Sequence, residues 1–357
     1  MYVRVCYFGA YAPNYSRNRM IIKGLKKNGV KVIECQDLSS KGFWGLALRH
    51  LRLLKKHLRL EDYDVMIIGV FDGQFVTPLA KLISKKPVVL DLFTGLYETK
   101  VVDRKIVNKD SLRAKAYYYL DKYTLRLVDL ILSDTNAHID YFHRLSGVER
   151  GKFRRVFIGS DDEVFYPRTL SKDDEHFLVT FWGGFIPLQG IQFIIKAAKI
   201  LEKEKDIIFE IRGHGQTYGE IIELAKRLGI NNVKFKPAVR YEKLPNYIAK
   251  GDVCLGIFGH GDKAKWVIPN KVFEALAMKK PVITGDSTAV REVLENGKNC
   301  LLCEMANPKA IANAVITLYE DDKLRKKIAA NGYVLFRKKF TPKVIGKSLI
   351  AYLNELI

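Results

Sequence analysis

Short runs of β-branched and aromatic residues alternate along this chain with longer stretches in which apolar positions recur every three or four residues. The short runs fit strands buried on both faces, and the longer stretches fit helices laying one apolar stripe on a sheet. Such alternation predicts parallel sheets built from βαβ units, and it occurs twice. In the first half strands are expected at 3–8, 30–35, 65–68, 87–91, 130–133 and 155–158. In the second they are expected at 178–182, 207–212, 233–236, 253–257, 282–284 and 300–303, again with helices between. Residues 159–176, "GSDDEVFYPRTLSKDDEH", are polar, carry Pro167 and hold no sustained period, so they read as a linker. The expected architecture is α/β, with two Rossmann-like doubly wound domains at 1–165 and 166–340 facing a cleft. A last helix at 341–357 is expected to cross back to the first domain and pack across both.

One predicted helix, 43–60, has two readings. Leu46, Leu53 and Leu60, with Leu54 and Leu58, line one side, while Arg49, Arg52, Lys55, Lys56 and Arg59 crowd the rest. It is either a surface helix packed on the first sheet or a basic amphipathic helix on anionic lipid, with Phe43 and Trp44 at the interface. Core packing explains the leucines but not so dense a cationic face, and both readings stay open.

Composition narrows the partners. The 357 residues hold 60 Lys+Arg against 39 Asp+Glu, a net charge of +21, with 48% hydrophobic and 28% charged residues. That balance describes a globular chain drawn to phosphates, polyanions or an anionic membrane. Paired Cys/His fingers and an aromatic RNA-binding strand are both missing, which argues against nucleic acid as the partner. Five cysteines suit reduced thiols in the cytoplasm; Cys300 and Cys303 have metal-like spacing, but "NCLLCE" lacks a second pair and reads as strand core, so no metal site is expected. The amino terminus "MYVRVCYFG" starts as a strand, and no apolar run reaches the roughly 18–20 residues a spanning helix needs. The expected location is the cytoplasm, with any membrane contact peripheral, at its inner face.

Chemistry concentrates in "WVIPNKVFEALAMKKPVITGD", 266–286. Pro269 is expected to open a helix with Asn270 near its cap, leaving backbone N–H groups and the positive dipole end for an anion. Lys271 adds a cation in the first turn, suited to a diphosphate. Glu274, three residues on and on nearly the same face, can accept hydrogen bonds from two vicinal ribose hydroxyls.

This segment resembles the donor-binding motif of family 4 glycosyltransferases, a family with the GT-B fold. "PNKVFEALAMKKPVI" is similar to the family's helix and following strand, and "TAVREVLENGKNCLLCEMANPKAIANAV" to its continuation. More loosely, "VFIGSDDEVFYP" resembles the interdomain entry, and "FEIRGHGQ", with Arg212 and Gly213, a strand ending in a glycine turn. "VKFKPAVRYEKLPNYIAKGDVCLG", with Val239, resembles the stretch that closes over the base. The resemblance implies an amino-terminal acceptor domain and a carboxyl-terminal donor domain. It also implies retaining, metal-independent transfer of a sugar from a nucleoside diphosphate, UDP- or GDP-linked, to an acceptor hydroxyl, with no further cofactor.

Two departures stand out. The family's first motif glutamate falls on Trp266, leaving Asp262, Lys263 and Lys265 as candidate substitutes. In "FWGGFIPLQG", where the family has an Arg and a Lys on the diphosphate, this chain has Phe185 and Gln189. Gly183 and Gly184 still allow backbone to approach phosphate, so Lys271 and the helix end are expected to carry more of the charge.

In the first half, Gly9 ends a strand where backbone can meet a ligand, or it serves a simple turn. Ser16, Arg17, Asn18 and Arg19 are candidates for acceptor or phosphate, the two arginines equally for solvated charge. Asp91, at a strand end where relatives have a histidine nearby, is the candidate polar group beside the reacting sugar, against a turn-capping role. Asp134 reads first as a helix cap, His138 is a lesser candidate, and His214 and His260 read as exposed loop histidines. The acceptor is expected to be a glycan or lipid-linked envelope precursor. Rival readings are a nucleotide-sugar epimerase or hydrolase of similar shape, and a basic nucleic-acid-binding protein.

Overall fold

The computed structural model describes residues 3–38, 42–71, 73–170 and 175–357, with 42–44 as backbone alone. Phe43 and Trp44, which the lipid reading places at the interface, thus have side chains outside the described residues. The chain divides into two compact units, Met1–Ile158 with Thr341–Ile357, and Gly159–Phe340.

The first unit runs β1 (Arg4–Gly9), α1 (Ser16–Lys27), β2 (Lys31–Gln36), α2 (Gly42–His57), β3 (Val65–Ile68), α3 (Gly73–Ile83), β4 (Val88–Asp91), a π-helix at Glu98–Asp103, α4 (Leu112–Leu127), β5 (Leu130–Ser133), α5 (Asn136–Ser146) and β6 (Phe153–Arg155). Its six strands pair in parallel in the order β2-β1-β3-β4-β5-β6. Strands β3, β4 and β5 are buried at every position, which is why they read as unbroken apolar runs. The expected strand at 155–158 stops early. Beyond it the carbonyls of Val156 and Phe157 accept from the Arg17 guanidinium and leave the ladder.

The second unit runs β7 (Phe177–Trp182), α6 (Ile191–Ile200), β8 (Ile207–Arg212), α7 (Tyr218–Arg227), β9 (Val233–Lys236), α8 (Leu244–Lys250), β10 (Val253–Leu255), α9 (Asp262–Trp266), α10 (Asn270–Ala277), β11 (Val282–Gly285), β12 (Leu301–Cys303), α11 (Pro308–Glu320) and α12 (Asp322–Lys339). Its parallel order is β12-β11-β10-β7-β8-β9. The strand order reverses at β1/β3 in one sheet and at β7/β10 in the other, the positions where open α/β sheets form ligand crevices at their strand carboxyl ends. The last helix, α13 (Pro342–Asn354), belongs to the first unit, where Asn28 Nδ2 donates to the Lys343 carbonyl at 2.9 Å.

The first crossing between units falls at Ile158/Gly159 rather than at 165/166. Phe165 explains this: inside the polar segment it is fully buried against Tyr241, with rings 5.0 Å apart, anchoring 159–170 to the second unit.

The helix expected at 43–60 ends at His57, and its leucines divide differently. Leu53 is fully buried, Leu46, Leu54 and Leu60 are half-buried, and Leu58 is exposed. Its cations are partly used by the fold: Arg49 is buried, Arg52 pairs with Asp37 at 3.1 Å, and Lys56 donates to the Gln36 carbonyl at 2.6 Å. All five cysteines are buried free thiols, and burial pushes Cys300 and Cys303 up to about 12, so both stay protonated. Among the described residues no helix is long and apolar enough to cross a membrane.

Candidate active site

The N-cap of α10 falls one residue ahead of the expected Asn270. Pro269, with extended backbone at φ −72° and ψ 153°, is the N-cap, and Asn270 is the first helical residue. The Pro269 carbonyl accepts from Val272 N–H at 3.0 Å, but no side chain caps the turn. Its leading N–H groups and the positive dipole end are left for an anion.

From Lys271 to Ala277 every residue of α10 is buried, so the two charged side chains are desolvated with the apolar ones. The Lys271 ammonium donates to Gln189 Oε1 and lies 3.4 Å from the centre of the Phe181 ring. Burial pulls it well below the usual lysine range, opposed by Glu274. Glu274 accepts from Trp182 Nε1 at 2.6 Å. Burial pushes its carboxyl up to about 7, with the indole bond and Lys271 pulling the other way. Trp182 is a site residue that the sequence reading passed over although it lies in the quoted "FWGG".

The glycine loop after β7 lies against this pair. A Cβ on Gly183 would meet Lys271 Nζ at 3.2 Å, whereas one on Gly184 would have only Ile186 near it. Gly213, at the end of β8 with φ +145°, must be glycine because a Cβ there would stand 1.9 Å from the Gly183 carbonyl oxygen. Phe185, at one position where the resemblance implies a cation, is fully buried; its N–H donates to the His214 carbonyl and its carbonyl accepts from Thr217 N–H. Gln189, at the other, is the acceptor that holds Lys271. Arg212 is buried, stacks 3.8 Å from the Tyr247 ring, and donates to Glu210 and to the Pro237 carbonyl, securing the loop that leads to half-buried Val239.

Trp266 fills an apolar cluster with Leu188, Ile257, Ala264 and Val267. Of its candidate substitutes, Asp262 and Lys265 pair with each other at the surface at 3.0 Å, and Lys263 alone is buried. His214 is exposed and stacks on Tyr218 at 4.6 Å, and His260 is exposed edge-on to Phe193.

In the first unit Gly9 takes φ +123° at the end of β1, packed under Val76. Asp91 does not stand free beside a substrate, nor does it cap a turn. Its side chain is fully buried and both oxygens accept from Arg17, at 2.9–3.1 Å. Burial pushes that carboxyl up and Arg17 pulls it down. Arg17 is correspondingly buried rather than solvated, and Asn18 is buried between Tyr7 and the Val70 backbone. Ser16 and Arg19 are half-buried, Arg19 reaching Asn14 at 3.4 Å.

The cap of α5 is Thr135, not Asp134. Asp134 instead accepts from His138 Nδ1 at 2.6 Å, while His138 Nε2 meets Glu98 at 2.8 Å, all three buried. Burial alone would lower the imidazole, but the two facing carboxylates outweigh it and lift His138 to about 9. Glu98 was not legible: it opens the π-helix, lies 40 residues from His138 and sits in no motif.

Known proteins resemble this chain in sequence and in fold. Residues 162–334 match the family model described as glycosyl transferases group 1. An uncharacterized glycosyltransferase of Methanocaldococcus jannaschii is 24% identical over 193 residues, 52% of this chain and 49% of that protein. A protein of Escherichia coli named as a putative colanic acid biosynthesis glycosyl transferase is 28% identical over 136 residues, 38% of this chain and 33% of that one. The matched stretch thus spans about half or less of these relatives' length. The crystal structure of Anabaena HepE with UDP and glucose superposes with a TM-score of 0.75 at 17% identity, covering 100% of both chains. That likeness shows the fold: two Rossmann-like α/β domains of the GT-B kind.

Proposed function

We propose, from the match of residues 162–334 to the family model of group 1 glycosyl transferases, that this protein moves a sugar from a nucleoside diphosphate sugar to an acceptor hydroxyl. The donor diphosphate sits at the first turn of α10 beside Gly183. One observation carries the reading: a buried ammonium, Lys271, is held by a neutral amide and an aromatic face at the uncapped end of a helix. A buried cation without a carboxylate partner is costly in the free protein and is repaid when an anion arrives.

The chemistry follows from the placement. Negative charge grows on the departing diphosphate as the sugar–oxygen bond breaks, and Lys271 with the α10 amides stabilises it in place. Trp182 fixes one oxygen of Glu274, which leaves the other for a ribose hydroxyl. HepE structures that hold UDP and UDP-glucose support a uridine-linked donor. Retention at the anomeric carbon follows the family 4 resemblance, and positive charge from Lys271 and the helix end supports metal-independent transfer. The colanic acid relative supports a glycan or lipid-linked envelope precursor as acceptor.

Thermal melting with UDP, GDP and their sugars tests the proposal. UDP at a hundredfold excess over its dissociation constant should add about 2.7 kcal/mol of stability. Lys271→Met should remove that gain while leaving the protein folded. If no nucleoside diphosphate raises the melting temperature, the reading fails. Product NMR then reads the anomeric outcome, and activity in EDTA reads metal independence.

A further inference from the structure

Net charge and exposed apolar side chains collect in the same unit. Met1–Ile158 with Thr341–Ile357 carries 31 Lys+Arg against 16 Asp+Glu, a net +15, whereas Gly159–Phe340 carries 29 against 23, a net +6. Among the described residues, eleven of the fifteen large hydrophobic side chains left in solvent lie in that first unit.

The two features meet on α4. At about 100° per residue, Leu112, Ala116, Tyr119 and Tyr123 fall within a wedge of roughly 60°, and Lys115 and Lys122 flank it on one side. Leu112 is 83% exposed, Tyr119 63% and Tyr123 56%. The opposite side packs inward through Ala114, Thr124 and Leu125. The only acid of the helix, Asp121, is buried and accepts from the N–H groups of Leu96 and Tyr97, so it does not offset the flanking lysines at the surface. Ile106, in the loop that leads into α4, is 53% exposed as well.

A solvated helix face has no reason to align a leucine and two tyrosines. Tyrosine rings favour the headgroup level of a bilayer, leucine reaches the acyl boundary, and lysines meet lipid phosphates. Helix α2 fits this role less well, because its Leu53 is in the core and its Arg49, Arg52 and Lys56 are taken up by the fold. We propose that the exposed face of α4 docks this protein on an anionic lipid bilayer. The inference stands apart from the donor site, since vesicle binding is read without any sugar transfer.

Sedimentation with vesicles of phosphatidylcholine mixed with phosphatidylglycerol tests it on the full chain. The wild type should pellet with the mixed vesicles at low salt, and weakly with pure phosphatidylcholine or at high salt. Tyr119→Ser/Tyr123→Ser and, separately, Lys115→Glu/Lys122→Glu should each cut partitioning about tenfold, with melting temperature and UDP binding unchanged. A wild type that stays in the supernatant overturns the proposal, as do variants that pellet like the wild type. A concentration-dependent dimer that the tyrosine variant abolishes, without vesicle binding, would assign the face to a second copy instead and also overturn it.

Discussion

Both units bury charge near the carboxyl ends of their strands, and they neutralise it in opposite ways. In the first unit Arg17 grips both oxygens of Asp91, and His138 lies between Glu98 and Asp134. Each cation there faces a carboxylate. In the second unit Lys271 donates to the neutral amide of Gln189, and Glu274 accepts from the neutral indole of Trp182. Charges that satisfy one another make a finished piece of scaffold. Charges held by neutral groups keep most of their desolvation cost, and at Lys271 an anionic ligand relieves it.

Removing one cation from each unit is the strongest way to break this contrast. Arg17→Met strands Asp91 in the core and should cost about 3–5 kcal/mol, read from urea unfolding. Lys271→Met deletes a buried ammonium with no carboxylate contact and should change stability by less than about 1 kcal/mol in either direction. Its effect should appear in UDP affinity, down about thirtyfold or more by calorimetry. Equal losses of stability in the two variants would erase the distinction.

Gly213→Ala disturbs the second site without touching a charge. Its Cβ would press on the Gly183 carbonyl from a residue at φ +145°, so we expect a loss of about 2–3 kcal/mol together with weaker UDP binding. Unchanged UDP affinity in the folded variant would show that the approach of Gly183 to Lys271 does not matter to the donor.

Proton linkage gives the smallest and most selective test. His138 titrates at about 9 when folded against an ordinary 6.5, so the folded state holds the extra proton between these values. Its contribution is complete below pH 6.5 and is lost as pH rises through 9. Glu274 titrates at about 7 when folded against 4.5, so its neutral form favours folding at low pH and stability falls as pH rises from 4.5 through 7. The sign is the same and the windows differ. Glu274→Gln should flatten the stability profile between pH 4.5 and 7 and leave the fall between 6.5 and 9 that His138 gives, by denaturant titration across pH.

Much of this was readable before folding, and the misses share a cause. Lys271 and Glu274 stand three residues apart on one short helix, so local periodicity placed them together. The partners that decide what each charge does come from elsewhere: Trp182 lies 92 residues from Glu274, Gln189 82 from Lys271, and Asp91 74 from Arg17. Asp91 therefore read as a free strand-end carboxylate and Arg17 as a surface or ligand-facing cation, although they neutralise each other. Asp134 read as a cap because it ends a strand just before a helix, whereas the carboxylate that completes the imidazole's surroundings, Glu98, lies 40 residues from His138.

By itself the sequence determined the elements, the two doubly wound sheets and the helix that holds the candidate donor site. Those depend on the period of apolar residues and on Pro and Gly at helix ends, which are properties of neighbours along the chain. Only the tertiary structure decided which buried charges are already answered and which are left for a ligand. Desolvation and Coulomb energy depend on what stands within a few ångströms, and in a parallel sheet those groups arrive from strands and helices many residues apart.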